Sequence, residues 1–189
     1  EDLWTTYAPS AIPTNEDSQT PKELTPSEIE KIITYFCDAT HRAKDAGFDM
    51  IEIHGAHGYL LHSFFSPLSN HRQDSYGGNI KNRMYFPLEI VKAVRKIWPD
   101  EKPLFYRISS TDNVKGGITI NDNINLVKEL KNLGVDVIDC SSGGISGSPT
   151  LATSRIVPGF QVPYAETIKE ETHIKTMAVG AIIDADQAE

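Results

Sequence analysis

Phe48-Asp49-Met50-Ile51-Glu52-Ile53-His54 is an apolar-rich run that starts after a glycine and ends on a histidine. It reads as a short strand. Upstream, Thr25-Pro26-Ser27-Glu28 combines a hydroxyl N-cap, a first-turn proline and a glutamate three residues on, which is a helix start. Ile29, Ile32, Ile33, Phe36, Ala39, Ala43 and Ala46 then recur at helical spacing until Gly47 stops them. Downstream the alternation repeats. Helices are expected at about 82–97, 124–133 and 164–171, and strands at Pro103–Ile108, Val135–Cys140 and Thr176–Gly180. The segment from Tyr7 to Pro26, rich in Pro, Thr, Ser, Asn and Asp, reads as an irregular lead-in.

The order αβαβαβαβ, with no hairpin signal, predicts an α/β fold with a parallel sheet and right-handed crossovers. An open doubly wound sheet and a (β/α)8 barrel compete. A Gly-x-Gly-x-x-Gly turn and a P-loop are both missing. Polar residues stand at or just past the C-terminal ends of several strands, at His54, Arg107, Ser141 and Gly180, which is the habit of a TIM barrel. A whole barrel takes about 250 residues and eight strands. Four strands are legible, so the chain reads as part of a barrel, about four βα units. Such a piece leaves two open sheet edges and one uncovered face, expected to be apolar, and the isolated chain is expected to self-associate.

The 189 residues are 39% apolar and 23% charged, one domain's worth of globular composition. No apolar run approaches a membrane span, and Glu1-Asp2-Leu3-Trp4 shows no signal-peptide pattern. A net charge of −8 disfavours nucleic acid as a partner. Cys37 and Cys140 match no zinc or disulfide spacing and read as two buried thiols. A cytoplasmic location fits best.

Chemistry concentrates in Glu52-Ile53-His54-Gly55-Ala56-His57-Gly58-Tyr59-Leu60-Leu61-His62. Two imidazoles three residues apart can hydrogen-bond one oxygen atom, and a phenol can deliver a proton without being ionised at rest. His54, His57 and Tyr59 are therefore the candidate catalytic residues, while His62, one turn on, reads as a surface or packing residue. The rival is a metal-dependent barrel hydrolase with His54 and His57 as ligands, although the spacing is not that of zincins and nothing in the spacing of Asp74, Asp112 and Asp139 completes a set. No metal is expected.

Several signatures occur together and in order: Glu52-Ile53-His54-x-Ala56-His57-Gly58-Tyr59-Leu60, Phe65-Ser66-Pro67-Leu68-Ser69-Asn70-His71-Arg72-x-Asp74-x-Tyr76-Gly77-Gly78, and Asn82-Arg83. Pro103–Ser109, Val135–Gly143, Pro158–Pro163 and Ala178-Val179-Gly180 follow. From Tyr7 onward the chain resembles the Old Yellow Enzyme family of FMN-dependent NADH:flavin oxidoreductases. The paired histidines resemble its bacterial branch, akin to xenobiotic reductases and NADPH dehydrogenases. The stretch 142–158 is longer than the family pattern.

The resemblance implies that residues 1–189 are the middle of an FMN-binding (β/α)8-barrel domain, strands four to seven. It implies an ene-reductase that passes hydride from NADH or NADPH through FMN to the C=C bond of a small enone. His54 and His57 would hold the substrate oxygen and Tyr59 would supply a proton. Arg107 would face the N1/O2 edge of FMN, with an ion pair to Asp112 or Asp139 as its alternative duty. Gly180 would offer its backbone to the phosphate. Arg72 and Arg83 would form internal ion pairs. A homo-oligomer is implied for the complete protein, and a non-catalytic fragment is the remaining alternative for this chain.

Overall fold

The computed structural model describes residues 4–145 and 157–189. Most of the long stretch 142–158 lies outside the described residues. The centre is a four-stranded parallel sheet in the order β3 (Ile51–Gly55), β4 (Leu104–Ser109), β5 (Val137–Ser141), β6 (Lys175–Ala178). Order in space equals order in sequence, so every crossover moves one strand along. The lead-in is less irregular than its composition suggests. Tyr7–Ala8 (β1) and Lys22–Glu23 (β2) form a small parallel pair.

Helix α1 (Pro26–Asp45) starts at the expected capping box, with Glu28 N–H donating to Thr25 Oγ1 at 3.3 Å and the Thr25 N–H to Glu28 Oε2 at 2.8 Å. A separate short helix, α2 (Leu60–Phe65), follows the histidine motif. Helix α3 (Ile80–Arg95) begins two residues earlier than its apolar period suggests, because Asn79 caps it. Helix α4 (Ile120–Asn132) begins four residues early for the same kind of reason. Thr119 and Asp122 form a second capping box ahead of the first periodic apolar residue. Helices α5 (Val162–Thr172) and α6 (Ala185–Ala188) complete the order.

The helices bury one face of the sheet. Ile53, Leu104, Tyr106, Ile108, Ile138 and Cys140 point into that layer and pack with Phe64, Phe86, Ile90, Val94, Trp98, Leu126, Leu130 and Ile168. Each such side chain contributes about 1.5–3 kcal/mol on leaving water. The other face is not the apolar surface expected. It carries Glu52, His54, Arg107, Asp139 and Lys175 beside Phe105, Val137 and Met177. The alternation of side chains along a strand makes this division, since neighbours in sequence face opposite layers. Cys140 is buried as expected, but Cys37 is only half-buried. Arg72 pairs with Asp74 at 2.6 Å, whereas Arg83 makes no ion pair among the described residues and instead donates to the carbonyls of Phe65 and Gly78.

Candidate active site

His54 is the penultimate residue of β3, which ends at Gly55, and the chain turns over Ala56-His57-Gly58 before α2. The turn needs two consecutive left-handed residues, His57 at φ 59° and Gly58 at φ 77°. A glycine is required at 58, because a Cβ there would come within 2.1 Å of the Gly144 carbonyl oxygen from the loop after β5. This fold-back clusters the three predicted rings. His54 and His57 have centroids 5.1 Å apart, and His54 and Tyr59 5.2 Å. Tyr59 takes the N-cap position of α2 and is 64% exposed.

Two serines that are register partners clamp His57. Ser109, the last residue of β4, accepts the His57 N–H at 3.0 Å and donates to the Gly143 carbonyl at 2.7 Å. Ser141, the last residue of β5, has its Oγ 2.7 Å from His57 Nε2. Its other available acceptor, Gln161 Oε1, is farther away at 3.4 Å and already takes the Ser142 hydroxyl at 2.6 Å. Ser141 is thus assigned as donor to Nε2, which puts the His57 ring proton on Nδ1. Burial, reinforced by the charge of Arg107, lowers both imidazoles, His57 to about 4. Each is neutral at pH 7 and carries one N–H to give.

Arg107 lies in the same register row as His54 and Asp139. Its Nε is 3.1 Å from Asp139 Oδ2, so of the two carboxylates considered for it, the neighbour on β5 is the partner. The alignment is poor for a hydrogen bond, and buried Arg107 Nε and Asp139 Oδ1 have no hydrogen-bond partner among the described residues. Burial raises the Asp139 carboxyl against the pull of Arg107, and burial together with Asp139 raises Glu52. The row is a cationic centre with a strained counterion, open on the uncovered face.

Gly180 lies two residues beyond β6 at φ 106°, where a Cβ would come within 2.7 Å of both Gln161 Nε2 and the Phe160 ring. Gln161 is a residue to which the motif reading gave no role. It sits at the N-cap of α5 but makes no side-chain cap bond there. Its amide spans the strand ends instead, accepting from Ser142 and donating to the Val179 carbonyl at 2.9 Å. Ser142, Gln161 and Val179 are so linked across the mouths of β5 and β6, next to the contact between His57 and Ser141. A cavity of about 450 Å³ opens beside Tyr59, bordered by Tyr7, Ile12, Leu60, Gly144 and Ile145.

Of the two readings of His62, surface or packing, the structure bears out the second: it is fully buried in α2 and bonded to Asp112 at 2.8 Å. Nothing in the local pattern distinguishes it, because Asp112 is supplied by a loop 50 residues away. Among the described residues, no group of three or more His, Cys, Asp or Glu side chains could hold a metal ion, and His54 and His57 gain no third ligand. The hydrolase alternative is not favoured. No described helix is long and apolar enough to cross a membrane.

The sequence model of the NADH:flavin oxidoreductase / NADH oxidase family matches residues 4–189. The chain belongs to this family. Relatives in the family include the NADPH dehydrogenases of Geobacillus sp. (strain WCH70), 52% identical over 182 residues, and of Clostridium acetobutylicum, 50% identical over 183. Each alignment takes in 96% of this chain and 52% of the relative, so the chain spans about half the length of the curated relatives it matches. Among solved structures, a 2-naphthoyl-CoA reductase in complex with 2-naphthoyl-CoA superposes with a TM-score of 0.88 at 28% identity, covering 97% of this chain and 28% of the reductase. Morphinone reductase in complex with tetrahydroNAD gives 0.77 at 27% identity, covering 98% and 52%. The parallel α/β architecture is therefore that of the NADH:flavin oxidoreductase fold family. The donor set present suits a flavin: an under-bonded guanidinium on the open face fits the electron-rich edge of a flat heterocycle, and the glycine turn past β6 fits an anion.

Proposed function

We propose that the protein to which this chain belongs is an FMN-dependent oxidoreductase that passes hydride from NADH or NADPH to the activated C=C bond of a small α,β-unsaturated carbonyl compound. The observation that carries this reading is the neutral pair His54 and His57, ring centroids 5.1 Å apart, with Arg107 in the register row of His54. The family membership and the relatives named NADPH dehydrogenase support it. On this reading residues 1–189 are strands four to seven of a (β/α)8 barrel.

FMN, when bound, supplies hydride transfer between the nicotinamide and the β-carbon of the alkene. His54 and His57 donate to the carbonyl oxygen, where negative charge builds during that transfer, and each such donor contributes about 3 kcal/mol. The Nδ1–H of His57 is the free donor, because Ser141 occupies Nε2. Tyr59 holds the proton destined for the α-carbon, and its exposure lets water reload it. Arg107 would hold the N1/O2 edge of FMN, and the Gly180 backbone a phosphate oxygen. The described wall of the cavity beside Tyr59 carries no charged side chain, which suits the remainder of an uncharged substrate.

The test uses a phenol as a mimic of the charged oxygen. The FMN-loaded protein should bind p-hydroxybenzaldehyde as phenolate and develop a long-wavelength charge-transfer band. The double variant His54→Ala/His57→Ala should lose that band. An unchanged band removes the histidines from the site, and no flavin spectrum from FMN-supplemented protein overturns the cofactor assignment.

A further inference from the structure

The turn that carries His57 is backed by a buried polar pair that touches none of the proposed ligand groups. The Gly58 N–H donates to His62 Nδ1 at 2.9 Å. An imidazole nitrogen that accepts a hydrogen bond carries no proton, so the His62 proton resides on Nε2. Nε2 is 2.8 Å from Asp112 Oδ1, and both side chains are fully buried. The second carboxylate oxygen accepts from Ser66 Oγ at 2.6 Å and from the Ile118 N–H at 2.9 Å. A return bond from the Asp112 N–H to the Ile118 carbonyl, at 3.1 Å, closes the loop after β4 around the carboxylate. Gly117 is pressed so closely against Asp112 that a Cβ would come within 2.5 Å of Oδ2. Each oxygen and each ring nitrogen has its partner, which leaves no room for a substrate atom.

What the pair holds is costly to hold. His57 is a non-glycine residue at positive φ, followed directly by Gly58 at positive φ, a geometry that persists only where the surroundings over-determine it. Ser109 fixes the amide on the N-terminal side of His57, and His62 fixes the amide on its C-terminal side. The second amide orients the His57 Cα–Cβ bond and, through the Tyr59 N–H donated to the Ala56 carbonyl at 3.1 Å, the start of α2. An apolar residue at 62 would fill the same volume without any of these bonds. Burying an imidazole and a carboxylate there makes sense where the position of one backbone amide matters.

We propose that His62 and Asp112 are positioning residues: a buried brace from the loop after β4, through α2, to the Gly58 amide, which holds His57 and Tyr59 in the arrangement that receives the ligand. This rests on the reading of His57 as a ligand donor. Asp112 orients the His62 ring by taking its Nε2–H, and His62 in turn presents Nδ1 to Gly58. The brace predicts that the acceptor at Nδ1, not the imidazole as such, is what position 62 contributes.

The experiment compares His62→Leu, His62→Asn and Asp112→Asn in the FMN-loaded protein. The side-chain oxygen of Asn can stand where Nδ1 stands. His62→Leu should weaken p-hydroxybenzaldehyde binding at least 10-fold with FMN content unchanged, and should speed hydrogen exchange of the Gly58 amide at least 10-fold. His62→Asn should stay within about threefold of wild type on both measures, and Asp112→Asn should fall between. Wild-type protein with no phenolate band would overturn the proposed function, and the Gly58 exchange rates would then decide the brace alone. A normal band in wild type that is unchanged in His62→Leu would overturn the brace and leave the function standing. Should His62→Leu fail to fold, ¹⁵N-histidine spectra of the unaltered protein decide it. An Nε2–H tautomer at His62 supports the brace, and an Nδ1–H tautomer or a doubly protonated ring refutes it.

Discussion

The two faces of the sheet are built from alternate residues of the same strands and have opposite characters. Ile53, Tyr106, Ile108, Ile138 and Cys140 lie within a few per cent of complete burial against the helices. Glu52, His54, Arg107 and Asp139, each one residue away, place four titratable groups on the other face. On the barrel reading this face is an interior, ordinarily packed with branched apolar side chains, and its ionisable groups come at a cost to stability. The strain is visible in the poorly aligned Arg107–Asp139 contact and in the carboxyls of Glu52 and Asp139, which burial pushes upward. The helix-covered face accounts for stability, and on the proposed function the uncovered face receives the ligands.

The largest expected effect breaks the stable face. Ile53→Ala should cost about 2–5 kcal/mol of unfolding free energy in urea, and a loss below about 1 kcal/mol would mean that the helix layer does not depend on this strand. Next comes Arg107→Ala, which on the proposed function should weaken FMN binding by about 1.5–3 kcal/mol, a factor of roughly 10 to 150, in a fluorescence titration. The same variant removes a charge that lowers His57, so the His57 midpoint should rise from about 4 toward the ordinary 6.5 in an NMR titration.

A smaller effect follows from His57 in the unaltered protein. Its folded value lies below its unfolded value, so the unfolded chain takes up the proton first. Above about pH 6.5 this residue leaves stability unchanged, and stability should then decline as pH falls toward 4. Urea midpoints at pH 7, 5.5 and 4 check the sign. The smallest effect should come from Glu52→Gln, one residue before Ile53. Removing a carboxylate that burial and Asp139 both disfavour should change stability by less than about 0.5 kcal/mol or raise it slightly. A loss comparable to that of Ile53→Ala would erase the distinction between the faces.

Much of this was legible along the chain. The strand runs, the helix start at Thr25 and the stop at Gly134 are local signals, and the structure has strands and helices where they point. The early start of α4 was legible too, in Thr119 and Asp122, but the apolar period drew the boundary to Ile124. His54, His57 and Tyr59 stood out because they are close in sequence at the end of one strand. Ser109 did not, and Ser141 did so only as a polar residue past a strand end, because their contact with His57 depends on their being register partners on adjacent strands. Gln161 looks like an ordinary helix-start residue until its amide is seen bridging β5 and β6.

The sequence by itself determined the parallel α/β order, the family and the concentration of donors after β3, since periodicity, caps and motif spacing are properties of short segments. The tertiary structure decided which face of the sheet is covered, which carboxylate meets Arg107, and that His62 is a buried brace. Those outcomes depend on residues 32 and 50 positions apart being brought to within 3.1 and 2.8 Å. Strand register and helix packing set such distances, and no local pattern encodes them.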